Sequence, residues 1–191
     1  MTTPTPFDRR LHFPVDKAYP PCAVAYTLSA DEVEMVARYR ADIEREIAKD
    51  GKRTRYLPDT GTLVEAQMRG FGAELALARL TGLHWPNRIP GHRTTMPDLG
   101  RRLEVRSTRN DLRPMLHIPE RARDDRAFAL MLNRPGAGWR FEFVGWAWAH
   151  YIKAVGEVAE HDQKGNSYRI HGARLSGWPL DPRAVEESPD A

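Results

Sequence analysis

The chain has 191 residues, with 29 Lys and Arg against 26 Asp and Glu and a formal net charge of +3; 41% of its residues are hydrophobic and 29% charged. Composition and length of this kind exclude a disordered or fibrous chain and predict one domain large enough to bury a core unaided. One cysteine, Cys22, excludes an intrachain disulfide framework and any zinc site built on paired cysteines.

Residues 1–25 are rich in proline (Pro4, Pro6, Pro14, Pro20, Pro21) and predict an extended arm without the apolar run of a signal peptide. Ser29, followed three residues later by Glu32, is a capping-box pattern that opens a helix through about Lys49. Val33, Val36, Ala37, Ile43 and Ile47 form its buried stripe, and Gly51 is the expected stop. No function is visible on this helix, whose acidic face reads as solvated. A second helix is expected from about Leu63 to Thr81, ended by Gly82, with Leu63, Met68, Phe71, Leu75 and Ala78 as its apolar stripe. Its interior holds Gly70 and Gly72, each costing about 1 kcal/mol relative to Ala, so a close backbone contact is expected there.

From Leu83 the period changes to two. Strands are expected at Leu99–Thr108, Met115–Pro119, Arg126–Leu132 and the first half of Trp139–Trp148. A helical stretch within Ala147–Glu160 and an edge-type strand at Tyr168–Leu175 follow, before a Pro-rich acidic tail at 181–191. Phe141–Val155 is the most apolar stretch, but it is short and carries Glu142, His150 and Lys153, which excludes a membrane span. The expectation is a cytoplasmic α+β domain: a mostly hairpin-connected mixed central sheet flanked by helices. Residues 1–25 are read as an arm, 26–61 as a helix and linker, 62–180 as the core and 181–191 as a tail.

The charge is unevenly placed. Residues 1–83 carry equal numbers of basic and acidic groups, whereas residues 84–134 carry 11 Arg, no Lys and six acids, for +5. A concentrated Arg patch is what a phosphate-binding surface requires, although a solvated face in a chain with 24 Arg and 5 Lys would look the same. The seven histidines show no HExxH and no close metal pairing, and there is no Walker-type glycine loop, GxGxxG or GxSxG. The aromatics Trp139, Phe141, Phe143, Trp146 and Trp148 read as core rather than as a base-stacking platform.

One constellation carries chemistry. In Pro97-Asp98-Leu99-Gly100-Arg101-Arg102-Leu103-Glu104-Val105-Arg106 the strand period puts Leu103 and Val105 on one face and Glu104 and Arg106 on the other. Two carboxylates at this separation on a hairpin can converge on one hard divalent cation, and Mg²⁺ is content with one or two carboxylates plus water. Such a cation polarises a phosphodiester and lowers the pKa of an attacking water, and a neighbouring cationic side chain stabilises the transition-state charge. The same residues also suit blander roles: Glu104 and Arg106 as a solvated ion pair, Asp98 as a turn residue and Glu74 as a helix-surface residue.

This segment resembles the PD-(D/E)XK nuclease superfamily. Pro97-Asp98 matches the first half of its signature, Glu104-Val105-Arg106 the second, and Gly72-Ala73-Glu74 the helix that precedes it. The resemblance covers about residues 62–175 and implies a restriction-endonuclease-like, α/β/α-like fold. It implies Asp98, Glu104 and the backbone carbonyl of Val105 as ligands of Mg²⁺ or Mn²⁺, with Glu74 as an accessory ligand and Arg106 in the catalytic set. Where the family holds Lys, this chain holds Arg106, and no Lys lies between Lys52 and Lys153. The function so implied is a metal-dependent nuclease cutting DNA rather than RNA, with Arg88, Arg93, Arg101, Arg102, Arg109 and Arg113 on phosphates. The alternative is an inactive nuclease-fold module that binds nucleic acid or a protein partner. A homodimer stays open, and compact nucleases of this look occur in phages and mobile elements.

Overall fold

A computed structural model describes residues 21–49, 61–85, 97–159 and 167–180. Most of the N-terminal arm, Gly51, Arg88, Arg93, the side chains of Ile47 and Leu63 and the tail 181–191 lie outside the described residues. Within them the order is β1 (Ala25–Thr27), α1 (Ala30–Lys49), α2 (Gly61–Thr81), β2 (Leu103–Thr108), β3 (Met115–Pro119), β4 (Ala127–Leu132), β5 (Arg140–Trp148), α3 (Ala149–Val155), β6 (Glu157–Ala159) and β7 (Ser167–His171).

The chain is α+β, but its strands form two sheets rather than one. The larger has the order β1-β5-β4-β2, with β2 parallel to β4 and the other pairs antiparallel. The smaller is antiparallel, in the order β3-β7-β6. A parallel pair needs a crossover, and here the connection from β2 to β4 runs through β3, which leaves the first sheet for the second. β7 is therefore a central strand, not the expected edge, and it ends at His171, where a short 3-10 turn follows.

Both faces of the larger sheet are covered, which is why β4 is buried at every position. On one face Leu103, Val105, Ala129, Met131, Phe141 and Phe143 pack with Val36 and Tyr39 of α1 and with Ala73–Ala78 of α2. On the other, Phe128, Leu130, Leu132 and Val144 pack with Leu116 and Ile118 of β3, Ile170 of β7 and Ile152 of α3. The expectation of helices flanking one central sheet thus holds for α1 and α2, whereas the second face is covered mainly by the smaller sheet. No helix among the described residues is long and apolar enough to cross a membrane.

The helix ends follow from local chemistry. The capping box forms in both directions: the Glu32 N–H donates to Ser29 Oγ at 3.2 Å and the Ser29 N–H to Glu32 Oε2 at 3.0 Å. Gly82 takes φ +71° directly after α2, the left-handed stop expected of a glycine. Ala37 is exposed and Tyr39 takes its place in the α1 stripe, because Tyr39 follows Val36 by three residues and precedes Ile43 by four. Of the two interior glycines, only Gly72 has a packing reason. A Cβ there would lie 2.9 Å from Phe141 Cζ, while at Gly70 it would meet nothing within 4 Å.

β5 is a strand throughout its nine residues, not only in its first half. From Trp139, just before the strand, the aromatics recur at steps of two, two, three and two, and the step of three coincides with a β-bulge, a register shift opposite Leu130 and Met131. A bulge adds one residue to one strand and flips the alternation. That keeps Phe141, Phe143 and Trp146 in the core against the helices, with Trp139 and Trp148 partly buried beside them. They are core residues, as their alternation indicated.

Candidate active site

Among the described residues β2 is an edge strand, paired with β4 on one side only. The segment before it supplies partners on the other side. Leu99 and Leu103 exchange backbone hydrogen bonds (3.0 and 3.2 Å) around a turn in which Gly100 has φ +52°. This makes residues 99–102 a turn rather than the start of the strand. Two residues further along the edge, the Val105 N–H donates to Asp98 Oδ2 at 2.7 Å, and the Val105 carbonyl accepts from Arg106 Nη1 at 2.9 Å. Asp98 and Arg106 therefore occupy the hydrogen-bonding sites that another strand would use.

This arrangement brings the carboxylates together from both sides of the sheet. Glu104 and Arg106 stand on the face shared with Phe128, with the Arg106 guanidinium carbon 5.4 Å from the Phe128 ring centre. Glu74 approaches from α2, on the opposite face, and Asp98 closes the edge between them. Arg106 spans the set, with Nη1 3.5 Å from Asp98 Oδ2 and Nη2 3.5 Å from Glu104 Oε2.

The electrostatics are those of crowded acids. Desolvation and then the Asp98 charge hold Glu74 well above the ordinary carboxylate range. Asp98 is raised by desolvation, opposed by Arg106 and by the Val105 N–H. Desolvation and the Asp98 charge push Glu104 from 4.5 to about 7. The contact between them lowers Asp98 and raises Glu104, so the two acids titrate as a coupled pair. Each acid still has an accessible face: the side chains of Asp98 and Glu104 are 25% and 20% exposed. Among the described residues, no three His, Cys, Asp or Glu side chains stand ready to hold a metal ion. The donor chemistry itself, partly desolvated carboxylate oxygens, is of the kind that a hard cation such as Mg²⁺ or Mn²⁺ takes, although Arg106 now stands as their counter-charge.

Three neighbours stand outside the residues that the sequence pattern singled out. Tyr39 of α1 stacks edge-on against Trp85 (4.8 Å between ring centres) and Phe71 (5.0 Å). Desolvation, together with the charges of Glu74 and Asp98, raises its phenol to about 12. Trp85 Nε1 donates to Glu74 Oε2 at 3.4 Å. Arg126, buried at the start of β4, donates from Nη1 to the Arg101 carbonyl at 3.0 Å and lowers both Asp98 and Glu104. Tyr39 could have been found by its helical spacing; Trp85 and Arg126 had no local signal.

The expected phosphate contacts fall at the two ends of β2. Arg101 and Arg102 are exposed in the turn before it, and Arg109 and Arg113 are exposed after it. The carboxylates sit at the first end of β2, beside Arg101 and Arg102, while Arg109 and Arg113 lie past its other end, about 20 Å along a six-residue strand. Compared with protein-family models, with curated proteins and with solved structures, the chain matches none.

Proposed function

We propose that the protein is a divalent-metal-dependent nuclease of the PD-(D/E)XK type, with a restriction-endonuclease-like core, that hydrolyses DNA phosphodiesters. The observation that carries this reading is the meeting of Glu74, Asp98 and Glu104, from a helix, a turn and a strand, at a strand edge that no other described strand pairs, framed by arginines. Packing alone gives no reason to gather three desolvated acids in which the Asp98 charge raises both Glu74 and Glu104, whereas a cation site needs them. Asp98 and Glu104 are the ligands, with the Val105 carbonyl beside them and Glu74 behind. When bound, Mg²⁺ or Mn²⁺ polarises the phosphoryl oxygen and acidifies a water. The Val105 N–H fixes the Asp98 carboxylate, and Arg106 neutralises charge on the phosphate under attack. Arg106 cannot act as a base, since a guanidinium stays protonated in proteins.

The direct test is nicking of supercoiled plasmid by purified protein in Mg²⁺ or Mn²⁺. Activity should vanish in Asp98→Ala and Glu104→Ala and persist or rise in Arg106→Lys. No nicking in either metal, or equal nicking by both alanine variants, overturns the proposal. One observation favours a second reading, an inactive nuclease-fold module that binds nucleic acid or a partner protein. Arg106 already lies 3.5 Å from both carboxylates and supplies the counter-charge that a metal would bring. That reading expects binding without cleavage, no heat on titration with Mg²⁺, and a silent protein that starts to cut once Arg106 is changed to Lys.

A further inference from the structure

Beyond Arg106 the edge of β2 faces β3, the edge strand of the smaller sheet, and a cleft of about 220 Å³ opens between them. Its lining is Arg106, Ser107, Thr108, Asn110, Arg113, Met115 and His117, with no acidic side chain. This contrasts with the larger hollow over α1, which Asp31, Glu34 and Asp42 line. The loop between the strands is held by its own polar groups: the Asn110 N–H donates to Thr108 Oγ1 at 3.1 Å and the Arg113 N–H to Asn110 Oδ1 at 2.9 Å. These bonds use the Asn110 carbonyl oxygen and leave its amide as a donor. The Arg113 guanidinium makes no ion pair among the described residues and is exposed to solvent. Two guanidinium groups, two hydroxyls, an amide and an imidazole thus line one cleft large enough for a phosphate and part of its sugar.

We infer that the cleft between β2 and β3 is a phosphate subsite that holds a backbone phosphate of a nucleic-acid strand, next to the nucleotide lying over the carboxylates. The geometry of Arg106 links the two places. Its guanidinium contacts Asp98 and Glu104 at 3.5 Å, and the same side chain lines the cleft. A phosphate seated there competes with the two acids for Arg106. As the guanidinium turns towards the phosphate, Asp98 and Glu104 lose their internal counter-ion and take up a divalent cation more readily. Strand binding and cation binding then favour each other, and such coupling is reciprocal. This explains how an Arg can stand at the position of the family's Lys without blocking the metal: the substrate draws it away. The inference rests on the nucleic-acid reading of the protein but not on cleavage.

The test uses the full chain and a fluorescently labelled oligonucleotide in EDTA, where no metal-dependent cleavage can occur. Fluorescence anisotropy over a range of salt gives the affinity and its salt dependence. Arg113→Gln should weaken binding about 5- to 10-fold and lower the slope of log K against log salt by about 0.7–0.9, the loss of one phosphate contact. Arg113→Lys should keep the slope. Arg45→Gln, whose guanidinium pairs with Asp42 on α1, should change neither. Absence of strand binding by the parent protein, or an equal effect of Arg113→Gln and Arg45→Gln, overturns the inference. So does displacement of the strand by inorganic phosphate at the strand's own concentration, which would make the cleft a site for free phosphate. A second arm titrates Ca²⁺, as a non-hydrolytic stand-in, with and without an uncleavable phosphorothioate strand. Ca²⁺ affinity should rise several-fold with the strand in the parent and not in Arg113→Gln; no change in the parent removes the coupling. A protein that binds through Arg113 but never nicks plasmid keeps the subsite and loses the nuclease.

Discussion

Replacing Glu104 by Gln should make the metal-free protein more stable at pH 8, because the carboxylate is held in the folded state against its own ionisation. Burial and the Asp98 charge raise Glu104 from 4.5 to about 7. Between these values the folded state keeps a proton that the unfolded chain releases, so stability falls as pH rises through that window and is level above it. At about 1.4 kcal/mol per pKa unit, the interval from pH 5 to pH 8 removes about 2–3 kcal/mol, towards the lower end because a fifth of the side chain remains accessible. Gln is isosteric and cannot ionise, so it removes this loss without emptying the position. Urea unfolding of both proteins at pH 5 and pH 8 measures the effect. The variant should have the higher midpoint at pH 8, by about 1 M for a urea slope of about 2–3 kcal/mol/M, and the gap should shrink at pH 5. Millimolar Mg²⁺ at pH 8 should then stabilise the parent more than the variant, because the ligands must be deprotonated to bind. Equal pH dependence in the two proteins, or a less stable variant at pH 8, would refute the reasoning.

Three further substitutions probe the scaffold that positions the site. Gly72→Ala places a methyl carbon 2.9 Å from the fully buried Phe141 ring and should cost about 1–3 kcal/mol despite the better helix former. Gly70→Ala meets nothing and should gain up to about 1 kcal/mol; thermal midpoints moving in the same direction would contradict this account. Ser29→Ala removes one half of the capping box and should cost about 1 kcal/mol in chemical denaturation. A change within error would show that Glu32, held also by Arg79 at 2.8 Å, secures that helix end by itself.

Much of the fold was legible because its signals are local. Ser29 and Glu32 opened α1, Gly82 closed α2, and the alternation of Leu103, Glu104, Val105 and Arg106 correctly divided β2 between a buried and a polar face. The departures have local explanations too. Residues 99–102 have strand-like spacing, but Gly100 at φ +52° turns them back on β2. The aromatic steps of β5 carried the bulge as a single step of three, a mark that only the register with β4 makes certain. The division into two sheets had no local mark, since a strand's propensity does not name its partner.

For the site itself, the amino-acid order determined which groups could meet: acids at 74, 98 and 104, a cation at 106, and arginines on both sides of them. What only the tertiary structure decided is that they do meet. β2 pairs with β4 on one side, and no other described strand pairs with its other side. The unpaired Val105 N–H and carbonyl draw in Asp98 and Arg106. Tyr39 and Trp85 bring an aromatic wall up to Glu74. The unsatisfied backbone of a strand edge, with a helix packed over it, turns a short, loose motif into three acids that feel one another's charge.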